Sequence, residues 1–382
     1  MNKKTNIGFL LIDHHSGLGG LEKVLAQVIQ ELEKKGLNCI TFFLQSPIDT
    51  HYLTTLSKYK IMDKSRHNYN GILPKFISRY LWKKEFKLLS TSFFAQEIHN
   101  SNLNALIVLD FSNGLLRIES TLKKYKLNNP LIPLILWPHI SCQTLTPSFI
   151  KRTYKTIKLF DFVFAISNGL KEEFKSLYKL NNVKLIYNPI FSPNQIIHRK
   201  PQNFIFLGRV NDPRKRVKEL LKVFQKITGN WHLDLIGGTG TQTGDREFQA
   251  YINSLGLKDK VSLSGWCNEP WSLVTEAGAL LLNSTNEGFP LVLLEAMSRG
   301  IPCISSDCRT GPNEIIQNNI NGWLYDVDDE QKLQTIIQEI IDGKRKLPPQ
   351  ERIIQSVQKF SADIVIDNFK NCILDAIQKK QI

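Results

Sequence analysis

Short apolar segments recur along the whole chain, and many of them run directly into a loop of glycine or polar residues. Between them lie stretches in which apolar residues return at helical spacing, as at residues 21–35. This alternation of strands with helices predicts the α/β class, with parallel sheets in doubly wound, Rossmann-like domains. The predicted strands are residues 7–12, 39–44, 105–109, 131–136, 162–166, 183–187, 204–207, 233–236, 261–263, 279–282 and 301–305.

A change in composition divides the chain into two parts. With 382 residues, the chain is long enough for two domains that each have a core. Residues 189–202 are rich in Pro, Asn and basic residues, a composition typical of a linker. We therefore predict a first Rossmann-like domain at residues 1–188, a second at residues 203–360, and a C-terminal helix at residues 361–382.

The net charge of +14 is concentrated in the first half of the chain. Residues 1–190 carry 26 Lys and Arg against 13 Asp and Glu, whereas residues 191–382 carry 23 against 22. Residues 58–87 contain nine basic and six aromatic residues, and a helix is predicted at residues 74–90. This segment suits an anionic membrane surface, but a solvated face over a buried stripe explains it equally well. Nucleic acid fits least, since no recognition motif accompanies the charge.

The remaining composition is that of a globular cytoplasmic protein. Hydrophobic residues make up 42% of the chain, yet no segment approaches the roughly 20 apolar residues of a membrane span. Lys3 and Lys4 resemble the start of a signal peptide, but Asp13 ends the apolar run too early, so a first strand is the better interpretation. The six cysteines form no C-x-x-C pair, which argues against disulfides and a zinc site.

Two glutamates in the second half suggest a ligand site. Glu287 and Glu295 are eight residues apart, with a polar loop before the first and a predicted helix at residues 291–299 around the second. Pro290 is predicted in the first turn of that helix, whose free backbone N–H groups suit a phosphate. The two carboxylates can therefore contact different parts of one elongated ligand. Taken alone, this spacing favours an ordinary surface loop with a capping carboxylate and a solvated glutamate.

Further candidate residues follow other predicted strands. A glycine loop that ends in Gly19 and Gly20 follows the first strand, and His139 follows the fourth. Gly238 and Trp266 follow two strands of the second half. Ligands bind at the carboxyl ends of strands in open α/β sheets, so these positions are candidates. Each one alone is also consistent with an ordinary tight turn or a structural side chain.

The longer sequence around the two glutamates resembles that of a known family. Residues 286–307, N-E-G-F-P-L-V-L-L-E-A-M-S-R-G-I-P-C-I-S-S-D, are similar to the signature of family 4 retaining glycosyltransferases, and the resemblance covers nearly the whole chain. It implies the GT-B fold, two facing domains with the last helix crossing back to the first. Residues 208–217 and 309–316 are most similar to bacterial lipopolysaccharide core hexosyltransferases of the 1,6-galactosyl type. Enzymes that use UDP-glucose or UDP-N-acetylglucosamine share most of these residues.

The resemblance implies a role for each matched residue. Glu295 binds the ribose hydroxyls and Glu287 the donor sugar, while His139 lies near that sugar. Arg209 and Lys215 meet the donor diphosphate, although basic neighbours leave the register of Lys215 open. The implied catalytic residues are Glu287, His139, Arg209 and Lys215. The other implied donor contacts are Gly19, Gly20, Gly238, Trp266, Gly288, Phe289, Pro290 and Leu291.

The implied reaction moves galactose, glucose or N-acetylglucosamine from a nucleotide diphosphate to a hydroxyl of a cell-surface glycan, with lipopolysaccharide core as the expected acceptor. The enzyme would act on the inner face of the cytoplasmic membrane. We expect no metal ion, because no Asp-x-Asp pair follows a predicted strand. Arg209, Lys215 and helix N-termini can meet the charge of the leaving diphosphate instead. We also expect no cofactor. Retention can proceed by same-face attack or by double displacement.

Two alternatives belong to other functional classes. A nucleotide-sugar isomerase, or epimerase, of the same two-domain fold would release no nucleotide diphosphate in the presence of acceptor. A catalytically silent partner would bind the nucleotide sugar without turnover.

Overall fold

The computed structural model describes residues 4–13, 20–62, 86, 89–142, 145–193 and 195–381. The chain divides into two compact units, each with one parallel sheet. The first unit contains the residues up to Pro189 together with 363–382, and the second unit contains Ile190–Ala362. The predicted fold class, two doubly wound α/β domains, is confirmed.

The sheet of the first unit has the order β3-β2-β1-β4-β5-β6-β7. Its strands are β1 Asn6–Leu11, β2 Asn38–Phe43, β3 Tyr59–Ile61, β4 Ala105–Val108, β5 Leu134–Leu136, β6 Phe162–Ala165 and β7 Val183–Leu185. The described helices of this unit are α1 Gly20–Lys34, α2 Asn113–Arg117, α3 Glu119–Asn128, α4 Pro147–Ile157, α5 Asn168–Tyr178 and, from the end of the chain, α12 Ala362–Gln381. Every residue of β4 and β5 is buried, as expected for parallel strands covered on both faces.

The last helix, α12, packs within the first unit. Phe369 is fully buried, and its ring centroid lies 4.8 Å from that of Trp137 and 5.6 Å from that of Phe164. Lys370 Nζ donates a 2.7 Å hydrogen bond to the carbonyl of Lys35. The predicted return of the C-terminal helix to the first domain is therefore confirmed.

The sheet of the second unit has the order β10-β9-β8-β11-β12-β13. Its strands are β8 His198–Leu207, β9 His232–Ile236, β10 Val261–Ser264, β11 Glu276–Leu282, β12 Cys303–Ser306 and β13 Gly322–Tyr325. Its helices are α6 Val217–Gln225, α7 Gln242–Ser254, α8 Leu291–Ser298, α9 Pro312–Ile315, α10 Glu330–Ile341 and α11 Gln350–Ser356. Its core is rich in aromatic rings; the Phe224 centroid lies 5.5 Å from that of Phe204 and 4.9 Å from that of Trp231.

Short 3-10 or π helices complete the described elements, at Thr50–Thr55, Phe94–Ile98, His99–Ser101, Pro213–Lys215, Pro270–Leu273 and Gln358–Phe360.

Several element boundaries differ from those predicted. Strands β3 and β13 were not predicted, since each is a short edge strand at the limit of its sheet. Strand β8 begins at His198, inside the stretch predicted as linker, because its first residues pair with Glu276 and Ala277 of β11. A side chain at Gly278 would place its Cβ 2.4 Å from the Pro201 carbonyl, so glycine permits this approach. Most of the helix predicted at residues 74–90 lies outside the described residues.

Candidate functional site

The carboxyl ends of the second unit's strands meet along one edge of the sheet. The order of connection reverses beside β8, because β9 and β10 lie on one side of it and β11 to β13 on the other. In open α/β sheets the crevice at such a reversal is where ligands bind. Residues 208–216 follow β8 and residues 283–290 follow β11, so these two loops flank the crevice.

The loop after β8 contains the three consecutive basic residues, and each has a different partner. Arg214 donates to the Asp212 carboxylate from its backbone N at 3.0 Å and from Nη2 at 2.6 Å. These hydrogen bonds lower the pKa of Asp212. Arg216 forms an ion pair with Asp328 at 2.6 Å. Lys215 Nζ lies 2.5 Å from Glu287 Oε1 and is the basic residue of the three that faces the loop after β11.

The Lys215–Glu287 pair is partly buried, with side-chain exposures of 22% and 13%. The loop after β12 supports it, since Thr310 Oγ1 donates a hydrogen bond to the carbonyl of Glu287. A Cβ on Gly311, where φ is +95°, would lie 2.5 Å from Pro290 Cδ. The backbone next to the pair is therefore tightly packed at the strand ends. Pro290 was predicted in the first turn of α8, but it is the N-cap of that helix.

Buried polar groups join the loops after β8 and β11. Tyr325 Oη donates a 2.7 Å hydrogen bond to Asn283 Oδ1, and Asn283 Nδ2 donates to the Arg216 carbonyl at 3.1 Å. Thr285 N donates to the Arg214 carbonyl at 2.8 Å. Burial raises the pKa of Tyr325, which keeps its phenol in the donor form. These bonds fix the backbone on both sides of Lys215.

Glu295 lies on α8, away from that pair, and contacts an aromatic residue. Trp271 Nε1 donates a 2.8 Å hydrogen bond to Glu295 Oε2. Arg299 Nη1 donates a 2.9 Å hydrogen bond to the Glu295 carbonyl. Trp271 was not among the predicted site residues; it lies in a 3-10 turn of the connection between β10 and β11.

Other predicted donor contacts of the second unit lie on the same strand-end loops. Arg209 is exposed, and the backbone N of the next residue, Val210, donates a 2.9 Å hydrogen bond to the Gly238 carbonyl. Gly238 has φ +54°, and Trp266 is 51% exposed. Gly288 and Leu291 are partly buried, while Phe289 is buried. The structure thus collects these residues on one sheet edge, with Lys215 and Glu287 in direct contact.

In the first unit, His139 follows β5 as predicted and is partly buried. Its ring centroid lies 4.5 Å from that of Trp137. A residue that the sequence analysis missed supports the loop: the buried Glu173 carboxylate accepts hydrogen bonds from Ser141 Oγ at 3.0 Å and from Cys142 N at 2.8 Å. Gly20 is the first residue of α1, and Gly19 lies outside the described residues.

Within the described part of the chain, no three His, Cys, Asp or Glu side chains are grouped so that they could hold a metal ion. No described helix has the length and apolar character needed to cross a membrane.

Comparisons with known proteins identify relatives of the whole chain. Residues 190–360 match the family described as Glycosyl transferases group 1. The lipopolysaccharide 1,6-galactosyltransferase of Salmonella typhimurium (strain LT2) is 30% identical over 379 residues, which cover 95% of this chain and 97% of that protein. The lipopolysaccharide 1,6-galactosyltransferase of Escherichia coli (strain K12) is also 30% identical, with 96% and 97% covered.

Solved structures are similar over the full length as well. The apo form of the lipopolysaccharide outer core galactosyltransferase WaaB has a TM-score of 0.77 at 28% identity, with 97% of this chain and 99% of that chain covered. Anabaena Alr3699/HepE in complex with UDP has a TM-score of 0.74 at 17% identity, with 97% and 100% covered, which supports the fold alone.

Proposed function

Since the chain belongs to the group 1 glycosyltransferases, we propose that it transfers galactose from UDP-galactose to a hydroxyl of a lipopolysaccharide core acceptor. The proposal includes retention of the anomeric configuration, as expected of a family 4 enzyme, and independence from metal ions. Support for the sugar and the acceptor comes from two lipopolysaccharide 1,6-galactosyltransferases, which this chain matches over nearly their whole length.

The contact between Lys215 and Glu287 is the observation that carries the proposal. A lysine ammonium has three N–H donors, so Lys215 can keep one bond to Glu287 and offer the others to phosphate oxygens. Glu287 has further lone pairs that can accept sugar hydroxyls. One ion pair at the crevice would thereby hold the diphosphate and the sugar on the two sides of the bond that breaks.

Negative charge develops on the diphosphate as the sugar leaves, and fixed positive groups lower the barrier most when they interact with that charge. We assign this role to Lys215 and to the exposed Arg209, aided by the backbone N–H groups at the start of α8. The buried bonds from Tyr325 and Asn283 fix the loops before the donor binds, so little reorganisation is needed.

The remaining donor contacts follow the strand-end loops. We assign the ribose hydroxyls to Glu295 and the nucleobase side of the site to Gly238 and Trp266. In the first unit, we assign His139 to the neighbourhood of the transferred sugar. The positive charge of residues 1–190 would bring the protein to the anionic inner face of the cytoplasmic membrane, where the acceptor is a lipid-linked glycan.

A donor screen tests the proposal. The purified chain is incubated with UDP-galactose, UDP-glucose or UDP-N-acetylglucosamine, with and without lipid-linked core acceptor, and nucleotide diphosphate release is measured. We expect UDP release from UDP-galactose that depends on acceptor, and a product whose linkage has the anomeric configuration of the donor. Sugar isomerisation without UDP release would identify the isomerase alternative, and donor binding without any turnover would identify the silent partner.

A further inference from the structure

Trp271 is the aromatic residue in direct contact with Glu295. It lies in the 3-10 turn Pro270–Leu273 between β10 and β11 and is 8% exposed, whereas Leu273 in the same turn is 49% exposed. Its indole N–H is directed at a carboxylate oxygen, Glu295 Oε2, at 2.8 Å. A buried indole with its one donor used on an ionisable side chain suggests a role beyond packing.

Arg299 completes the arrangement from the other side. Its guanidinium carbon lies 4.4 Å from the centroid of the Trp271 ring, a cation–π contact. The same guanidinium donates to the carbonyl of Glu295, one turn earlier on α8. Arg299 therefore packs against the indole of Trp271, and the indole N–H binds the Glu295 carboxylate. We name Trp271, Glu295 and Arg299 the indole clamp.

We propose that Trp271 is a positioning residue that fixes the Glu295 carboxylate for a ribose diol. This inference rests on the proposed function, in which Glu295 binds the nucleotide. The indole N–H occupies one lone pair of Oε2 and leaves Oε1 and the other lone pairs for two hydroxyl donors. A glutamate side chain without such a partner would lose rotational freedom when it binds the diol. Glu295 has already lost that freedom on folding, because Trp271 binds its carboxylate, so binding costs less entropy.

A double-mutant cycle measured by calorimetry separates this role from packing. The probe is UDP, titrated into the full chain, and the variants are Trp271→Phe, Glu295→Ala and the double variant. We expect Trp271→Phe to weaken UDP binding about tenfold, equivalent to about 1.4 kcal/mol. In the Glu295→Ala background the same substitution should change UDP affinity by less than about twofold, because the carboxylate that the indole positions is gone.

Trp323→Phe is a matched control in the same unit. Its indole N–H also donates to a side-chain oxygen, Asn319 Oδ1 at 2.9 Å, and the guanidinium carbon of Arg345 lies 5.4 Å from the centroid of its ring. Trp323 belongs to β13 and to none of the loops assigned to the donor. We expect Trp323→Phe to leave UDP affinity unchanged, and thermal unfolding of each variant shows whether its fold is intact.

The outcomes separate the two hypotheses. Normal UDP binding by Trp271→Phe, or equal losses in both backgrounds, would overturn the positioning role. Normal UDP binding by Glu295→Ala would instead contradict the proposed function. If Trp271→Phe does not fold, the six indole N–H resonances of the intact chain provide the test. The resonance that shifts in Glu295→Ala should be the one of Trp271, and it should also shift when UDP binds to the parent. The proposal would be overturned if no indole resonance shifts in Glu295→Ala, or if the one that does stays in place when UDP binds.

Discussion

The two units present their candidate residues in different ways. In the second unit, Lys215 and Glu287 form an ion pair, and buried hydrogen bonds connect the two loops that carry them. In the first unit, the described candidates are His139 and Gly20, and the other glycine lies outside the described residues. The charge also differs, with 26 basic against 13 acidic residues in the first half and 23 against 22 in the second. Under the proposed function, the second unit binds one small donor, whereas the first unit binds a large acceptor and an anionic membrane surface.

In both units, nevertheless, a buried polar side chain from another part of the chain supports a loop that carries candidate residues. In the second unit Tyr325 binds Asn283, which binds the loop of Lys215. In the first unit Glu173 binds the backbone N of Cys142, three residues after His139. Supporting groups of this kind set the geometry of a site without contact to the ligand. If the second unit binds the donor and the first unit the acceptor, substitutions in the two units should have different effects on UDP binding and turnover.

The largest effect is expected for Lys215→Ala. Removal of a group that stabilises charge developing in the transition state typically costs about a hundredfold to a thousandfold in turnover. Arg214→Ala is the matched control, because Arg214 is the adjacent basic residue and binds Asp212. Steady-state UDP release should fall for Lys215→Ala and stay near the parent rate for Arg214→Ala. The reverse result would place the diphosphate contact on Arg214.

A smaller effect is expected in the first unit for Glu173→Ala. The loss leaves the buried N–H of Cys142 without its acceptor, which typically costs about 1 to 3 kcal/mol of folding free energy. The loop of His139 should loosen, so turnover should fall while UDP affinity in calorimetry is retained. Glu172→Ala, at the adjacent exposed position, controls for the change of charge. Weaker UDP binding by Glu173→Ala would contradict the assignment of donor binding to the second unit.

A salt-dependent effect is expected for joint neutralisation of Lys83, Lys84 and Lys87, which lie outside the described residues. Each basic residue near an anionic membrane contributes about 1 kcal/mol, and salt weakens the contribution. Sedimentation with anionic vesicles and activity on membrane-bound acceptor should both decrease, with UDP affinity unchanged. Sedimentation like that of the parent at low and high salt alike would identify the segment as a solvated face.

No effect is expected from a chelator. The proposed positive groups at the diphosphate are Arg209, Lys215 and the start of α8, so UDP release should continue in excess chelator. Loss of activity that magnesium or manganese restores would contradict metal-independent transfer.

The sequence predicted local patterns well and distant contacts poorly. The fold class followed from the alternation of strands and helices, and the bounds of α8 were predicted to within one residue, because its signals are local. Trp271 and Glu295 are separated by 24 residues, and Tyr325 and Asn283 by 42, so no local spacing indicates that they meet. The three basic residues after β8 look alike in sequence, and only the left-handed conformation of Arg216 and the partners of each side chain distinguish Lys215.

Calorimetric titration of UDP-galactose into the parent and into Glu295→Ala is the most direct test of a donor site in the second unit. The carboxylate is partly buried and its hydrogen bond to Trp271 leaves acceptor capacity for a ribose. Loss of a charged hydrogen-bond partner typically costs roughly 1.5 to 3 kcal/mol, so we predict affinity about tenfold to over a hundredfold weaker with thermal unfolding little changed. Unchanged affinity for UDP-galactose in a folded variant would contradict the account.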